Sequence, residues 1–307
     1  MGPVRTHIPV LRQEVLSLLD PRPGQHTVDA TVGAGGHAAA ILERTAPDGR
    51  LLAIDLDPAA LEIARQNLKS FAGRITFVHS GFDNLKQILH DTRFLHPTAI
   101  LADLGLSSAS LQDSSRGFSF QLVDSPLDMR FDPSSRSGEI RTAADILNLE
   151  REAELARIIY EYGEERQSRA IARAIVETRA RQPIRTVGDL VSIIARVIRR
   201  RGHLHPATRT FQALRLAVND ELGRLERFLP QAIEALVPGG RLAVISFHSL
   251  EDRMVKQFFR QQAAASQVRI LTKHPATPGF AEVTTNPRSR SAKLRVVVRT
   301  SPPTPLL

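Results

Sequence analysis

Apolar residues recur with two different periods along this chain, and the change from one to the other divides it. Up to about residue 110, short β-branched runs alternate with segments whose apolar positions return every three or four residues. This predicts strands over 27–31, 50–55, 75–79 and 98–103 and helices over 9–19, 37–45, 58–70 and 84–90. Strands separated by ~10-residue helices form a parallel sheet covered on both faces. From Thr142 to about Arg201 the period is helical only, in "TAADILNLEREAELARIIYEYG", "EERQSRAIARAIVETRARQ" and "TVGDLVSIIARVIRRRG". Thr142 and Thr186 each stand three residues before an Asp, the arrangement of an N-cap. The pattern over 205–236 predicts one long helix, after which Pro238, Gly239 and Gly240 lead into "RLAVISFHSLEDR", a buried strand, a turn and a helix. "VRILTK" and "AKLRVVVRT" are candidate strands that could pair at a sheet edge. The expected fold class is α/β: a doubly wound domain of residues 1–111 and 206–307, interrupted by an all-helical domain over 112–205.

Length agrees, since 307 residues exceed most single cores but are few for three. No apolar run approaches the ~18 residues of a membrane span, and the start of the chain has no signal-peptide core. With no Cys, disulfides and thiolate chemistry are excluded. A cytoplasmic protein is expected. The net charge of +9 adds a partner, because such an excess attracts polyanions through counterion release. The charge is concentrated: eleven Arg and no Lys lie between Arg169 and Arg215, against Glu177 and Asp189 alone. Four Arg and one Lys with no acid lie between Asn286 and Thr300. Clusters of this kind point to nucleic acid.

The stretch "TVDATVGAGGHAAAIL" reads as strand, tight turn and helix. Gly33, Gly35 and Ala38 fit the G-x-G-x-x-A fingerprint, and Asp55 ends the next strand about 20 residues on, where a ribose-binding acid belongs. That pattern admits NAD as readily as S-adenosylmethionine. Asp29, just before the turn, separates them: at an effective dielectric near 20, like charges ~4 Å apart repel by about 4 kcal/mol, which opposes a pyrophosphate. S-adenosylmethionine carries no phosphate and presents an ammonium and a sulfonium, which an acid suits. "HSGFDNL" offers Phe82 as an apolar ring and Asp83 as an adenine partner or helix cap, and "LADLGLSS" offers Asp103. Asp29, Asp55 and Asp103 thus end three strands around one cationic ligand.

Further blocks carry a resemblance. "HIPVLRQEVL", "DATVGAGGH", "DLGLSS", "RGFSF", "PLDMRFDP", "YGEERQSRAIARAIV", "HPATRTFQALRLAVNDEL", "PGGRLAVISFHSLEDR" and "NPRSRSAKLR" closely resemble the bacterial 16S ribosomal RNA cytosine-N4-methyltransferases, from about His7 to Arg299. The resemblance implies a Rossmann-like S-adenosylmethionine-dependent domain with a helical insertion for substrate recognition. It further implies methyl transfer to the N4 of a cytidine in the decoding region of 16S rRNA, within the small ribosomal subunit or an assembly intermediate. Carried over by motif, the cofactor contacts fall on Gly35, Gly36, His37, Asp55, Phe82 and Asp103. Where relatives commonly carry Gln in the loop "SSPQLD", this chain has Ser110, with Gln112 two positions later.

An exocyclic amine needs an acceptor for its N–H if its lone pair is to face the methyl group, and Asp103 is the candidate by analogy with other amino-methylating enzymes. The Asp-Pro-Pro-Tyr type loop those enzymes often use is absent. Arg209, Phe211 and Gln212 in "TRTFQ" suit phosphate, base stacking and a base edge, the contacts by which unpaired RNA is read. The core is the other place for Phe211. His248 in "SFHSLED" either meets the base or bonds across its own loop. A hydrolase triad of His248, Ser249 and Glu251 fails, because near neighbours rarely face one another as a triad requires and no G-x-S-x-G elbow is present. No His or carboxylate spacing marks a metal site.

Overall fold

The computed structural model describes residues 9–134, 140–198 and 205–300, so the arginine run 199–201 and the tail from 301 lie outside the described residues. The elements in chain order begin α1 (Arg12–Leu19), β1 (Thr27–Asp29), α2 (Gly36–Arg44), β2 (Leu51–Asp55), α3 (Pro58–Asn67), β3 (Ile75–His79), α4 (Leu85–Thr92) and β4 (Ala99–Asp103). Helices follow without a strand: α5 (Ser108–Gln112), α6 (Ala143–Leu149), α7 (Glu152–Gly163), α8 (Ser168–Arg179), α9 (Val187–Val197), α10 (Thr208–Asn219) and α11 (Glu221–Ala235). The chain then forms β5 (Arg241–Ser246), α12 (Ser249–Ala264), β6 (Val268–Ile270), α13 (Phe280–Thr285) and β7 (Lys293–Arg299).

The chain divides into two compact units, one of residues 1–107 and 223–307 and one of 108–222. The helical unit is therefore longer at both ends than the 112–205 the pattern suggested, and it takes in α10 with Arg209, Phe211 and Gln212.

In the first unit the seven strands are ordered β3-β2-β1-β4-β5-β7-β6, parallel as far as β5, with β7 and β6 antiparallel. Side chains alternate across a strand, so each face has its own core. Val28, Ile54, Ala102 and Val244 pack under α4, α11 and α12. Ala53, Leu101 and Ile245 pack under α1, α2 and α3. The strand order reverses between β1 and β4, which is where a doubly wound sheet opens a crevice at its carboxyl edge.

In the helical unit α7 packs against α8 and α10, and α8 against α9. Leu155, Ile159, Ile171, Ile175, Leu190 and Ile194 are fully buried between them. Thr142 and Thr186 both form the capping box their spacing predicts, with Asp145 and Asp189 completing it. The long helix over 205–236 is a correction: it is broken at Asp220, which lies at φ 48° and separates α10 from α11. The left-handed conformation is accessible to Asp. The break is held on either side, where Arg215 grips Glu221 at 2.6 and 3.0 Å and the Asn219 amide donates to the carbonyls of Met129 and Arg215.

Candidate functional site

β1 runs directly into the glycine turn. Gly33 and Gly35 sit at φ 52° and 86°, and the Gly35 N–H donates to the Val32 carbonyl at 2.8 Å. A β-carbon on Gly35 would lie 2.8 Å from Leu68 Cδ1, and one on Gly36 2.7 Å from Pro9 Cγ. A side chain at either position would have to displace its neighbour, and at Gly35 the positive φ favours glycine besides. The turn delivers the N-terminus of α2 to the sheet edge, where the first amides of a helix have no partner within it and carry a partial positive charge.

Asp55 braces this turn. Its Oδ2 accepts the Gly33 N–H at 2.8 Å and its Oδ1 the Asp57 N–H at 2.9 Å. By strand alternation Asp29, Asp55 and Asp103 all stand on the α2 face of the sheet. Asp29 pairs in register with Ala53 and Leu101, so Asp55 and Asp103 project one step beyond it on either side. Asp29 is buried beneath the turn, accepting the Thr31 N–H at 3.2 Å. The Thr31 hydroxyl accepts the Asp103 N–H at 2.6 Å and ties β1 to β4 at the crevice.

Burial raises all three carboxyls: Asp55 to about 6, against the lowering pull of the backbone amides of Asp57, Gly33 and Leu56, Asp29 to about 7, and Asp103 to about 8. Asp55 adds to the rise at Asp29, and Asp29 and Glu251 add to that at Asp103. Among the described residues no Arg or Lys pairs with any of the three; the neighbour of Asp103 is buried His37, whose Nε2 lies 3.7 Å from Oδ2. Asp103 Oδ1 is buried without a hydrogen-bond partner. Such an edge is short of positive charge, and a cation placed there would release the strain of three crowded acids.

His248 lies at the end of β5, where its Nδ1 accepts the Glu251 N–H at 3.4 Å as the N-cap of α12. Its Nε2 is 3.2 Å from Glu251 Oε1, and Glu251 Oε2 accepts the Phe247 N–H at 2.9 Å. The ring is therefore turned onto its own helix, which corrects its reading as a base contact. The signal for Glu251 in the sequence is H-x-x-E ahead of an apolar helix, a variant of the capping-box spacing.

The remaining residues divide. Phe82 is half-buried, its ring edge-on to Phe228 at 5.1 Å in the core of the opposite face. Asp83 is neither an adenine partner nor a cap, because Arg224 and Arg227 hold its carboxylate, each at 2.9 Å. In the helical unit Ser110 is buried and Gln112 exposed. Phe211 is a core residue, buried at 4% exposure and edge-on to Phe120, which corrects its reading as a stacking platform. The Gln212 amide donates to the Tyr162 carbonyl at 3.0 Å, and half-exposed Arg209 donates to the Glu164 carbonyl at 3.2 Å.

With this geometry in hand, comparison with known proteins is decisive. A model of the MraW methylase family matches residues 4–300. The chain belongs to that family. It is a methyltransferase, and S-adenosylmethionine is the methyl donor. Proteins named ribosomal RNA small subunit methyltransferase H are similar over almost their whole length. That of Thermomicrobium roseum is 51% identical over 96% of this chain and 94% of its own, and that of Heliobacterium mobile 49% over 94% and 97%. The relative from Geobacter sulfurreducens is 49% identical over 94% of this chain and 97% of its own. In this MraW methylase the acidic edge lies where the strand order of the doubly wound sheet reverses.

Proposed function

We propose that this methylase transfers a methyl group from S-adenosylmethionine to the N4 amino group of a cytidine in the decoding region of 16S rRNA, acting in the cytoplasm on the small subunit or an assembly intermediate. The observation that carries the reading is the row of Asp55, Asp29 and Asp103 across the crevice, ending in the unpartnered Asp103 Oδ1. It fits a cationic donor and opposes a pyrophosphate. The excess of arginine supports an RNA substrate, and so do the names of the relatives.

When bound, S-adenosylmethionine supplies an electrophilic methyl on a sulfonium, and the cytosine amine takes it while giving up one proton. The chain's residues prepare this. Asp55 holds the turn and retains lone pairs for a ribose hydroxyl; Gly35, Gly36 and His37 bring the amino end of α2 to the donor; Phe82 anchors the loop after β3 through its contact with Phe228. Asp103 accepts an N–H of the amine, so the nitrogen lone pair faces the methyl, and a base no stronger than a carboxylate suffices to take the proton because the nitrogen becomes acidic as the bond forms. Arg209 and Gln212 contact RNA from the helical unit. The target cytidine leaves its stack to reach the site.

The test is incubation of the enzyme and labelled donor with unmethylated small subunits and assembly intermediates, followed by nucleoside analysis. N4-methylcytidine is expected; its absence in every assembly state would overturn the proposal. Asp55→Ala should weaken donor binding by roughly 1.5–3 kcal/mol, the scale of a lost hydrogen bond to a charged group. Titration calorimetry reads this directly, and an unchanged dissociation constant would exclude Asp55 from the site. Replacing Arg199, Arg200 and Arg201 together, a run outside the described residues, should weaken RNA binding and flatten its salt dependence while leaving donor affinity alone. An unaltered salt slope would leave that run a solvated face.

A further inference from the structure

With Phe211 in the core and His248 turned onto α12, neither residue suggested for meeting the base is placed to do so. We infer that Phe247 is the wall against which the target cytosine stacks; this rests on the cytidine-methylating reading above.

The order of groups along the sheet edge carries it. Asp55 on β2, Asp29 on β1 and Asp103 on β4 occupy neighbouring strands, so the donor is spread over the ends of β2, β1 and β4. An in-line displacement places the nucleophile on the far side of the methyl from the sulfur, and the next strand beyond β4 is β5. Asp103 pairs in register with Ile245, and the Leu104 N–H donates to the Ile245 carbonyl at 3.0 Å. Phe247 follows two residues later, on the same face as Ile245 and hence the same face as Asp103.

Two contacts fix the ring. The Phe247 backbone is clamped by Glu251, whose Oε2 accepts its N–H at 2.9 Å. Across from it is Gly105 at φ 98°, where a β-carbon would lie 3.7 Å from Phe247 Cδ2, so the ring stands against the backbone two residues past Asp103. The side chain is only half-buried, unlike the fully covered Ile245 beneath it. A half-covered aromatic ring on a rigid strand end, next to the group that receives an amine N–H, has the form of a stacking platform for a pyrimidine. Stacking needs a π-face and is indifferent to hydrogen-bond pattern. Recognition of the amine then falls to Asp103, and retention of the flipped ring to Phe247.

Phe247→Leu and Phe247→Tyr in the full-length enzyme test this, with small subunits as substrate. The Leu variant should lose about tenfold or more in kcat/KM for the subunit. The Tyr variant, which keeps the ring, should stay near the parent. Both should keep the parent's donor affinity by calorimetry and its melting temperature. Parental kinetics for Phe247→Leu would overturn the inference, as would a loss of donor affinity that accounts for the loss of rate. A native-melting Phe247→Tyr as slow as the Leu variant would overturn it too, since the π-face would then not be what matters. Absence of N4-methylcytidine with the unaltered enzyme would instead sink the cytidine reading.

Discussion

Asp103→Asn should lower kcat for methyl transfer by about 10²–10⁴, the usual contribution of a positioned proton acceptor. Asn keeps the size and the place at the end of β4, and only the charge and one acceptor oxygen are changed. Oδ1 is buried with no hydrogen-bond partner, so the exchange breaks no bond at that oxygen, and Oδ2 faces only His37 Nε2 at 3.7 Å among the ion pairs of the described residues. The same substitution should raise the melting temperature of the donor-free protein above pH 8, where the wild type holds a buried carboxylate beside Asp29 and Glu251. Faster unfolding with unchanged kcat would show Asp103 to be structural. Loss of rate with gain of stability is the signature of a group kept strained for function. Single-turnover methylation and thermal melts at two pH values read both halves.

Donor affinity should rise with pH between about 6 and 8, by at most about tenfold per unit for each group that titrates. The sign follows from the direction of the shifts. Asp55, Asp29 and Asp103 are raised to about 6, 7 and 8 from 3.8, so the free enzyme holds protons there that a cation expels. Binding at pH 7 should therefore release protons, and the binding enthalpy should vary with the ionisation enthalpy of the buffer. Asp103→Asn should reduce that release and narrow the window from its upper end, which separates this group from the donor's own amine. Stability of the donor-free protein runs the opposite way. Between pH 3.8 and 8 these three groups bind more protons in the folded state than in the unfolded chain, so their contribution to stability is fully present below about pH 4 and is lost as pH rises through the three folded values. Saturating donor should restore it, because a ligand that binds only the native state stabilises by mass action. A buffer-independent enthalpy with flat affinity from pH 6 to 9 would show that the acids are not at the donor site.

Much of the fold was legible because its signals are local. The alternation of short strands with helices, the capping boxes at Thr142 and Thr186, and the G-x-G-x-x-A turn each depend on residues a few positions apart. The break at Asp220 was missed because apolar periodicity continues straight through "LRLAVNDELGRLERF", and only the contacts of Asn219 with Met129 and Phe131, some ninety residues away in sequence, show why the chain turns. The boundary of the helical unit moved for the same reason.

The site divides likewise. By itself the sequence determined that a glycine turn faces three acids on three strand ends, and that the ligand is therefore a cation rather than a pyrophosphate. Charge and strand period are properties of short segments, so they survive without coordinates. Which side of the sheet those acids share, that Asp103 Oδ1 is left without a hydrogen-bond partner while Asp83 is consumed by Arg224 and Arg227, that Phe211 is core, and that His248 caps α12 and leaves Phe247 beside Asp103, were decided only by the tertiary structure. Each of these depends on which distant residues come to lie within a few ångströms, and burial and hydrogen-bond partnership are set there and not along the chain.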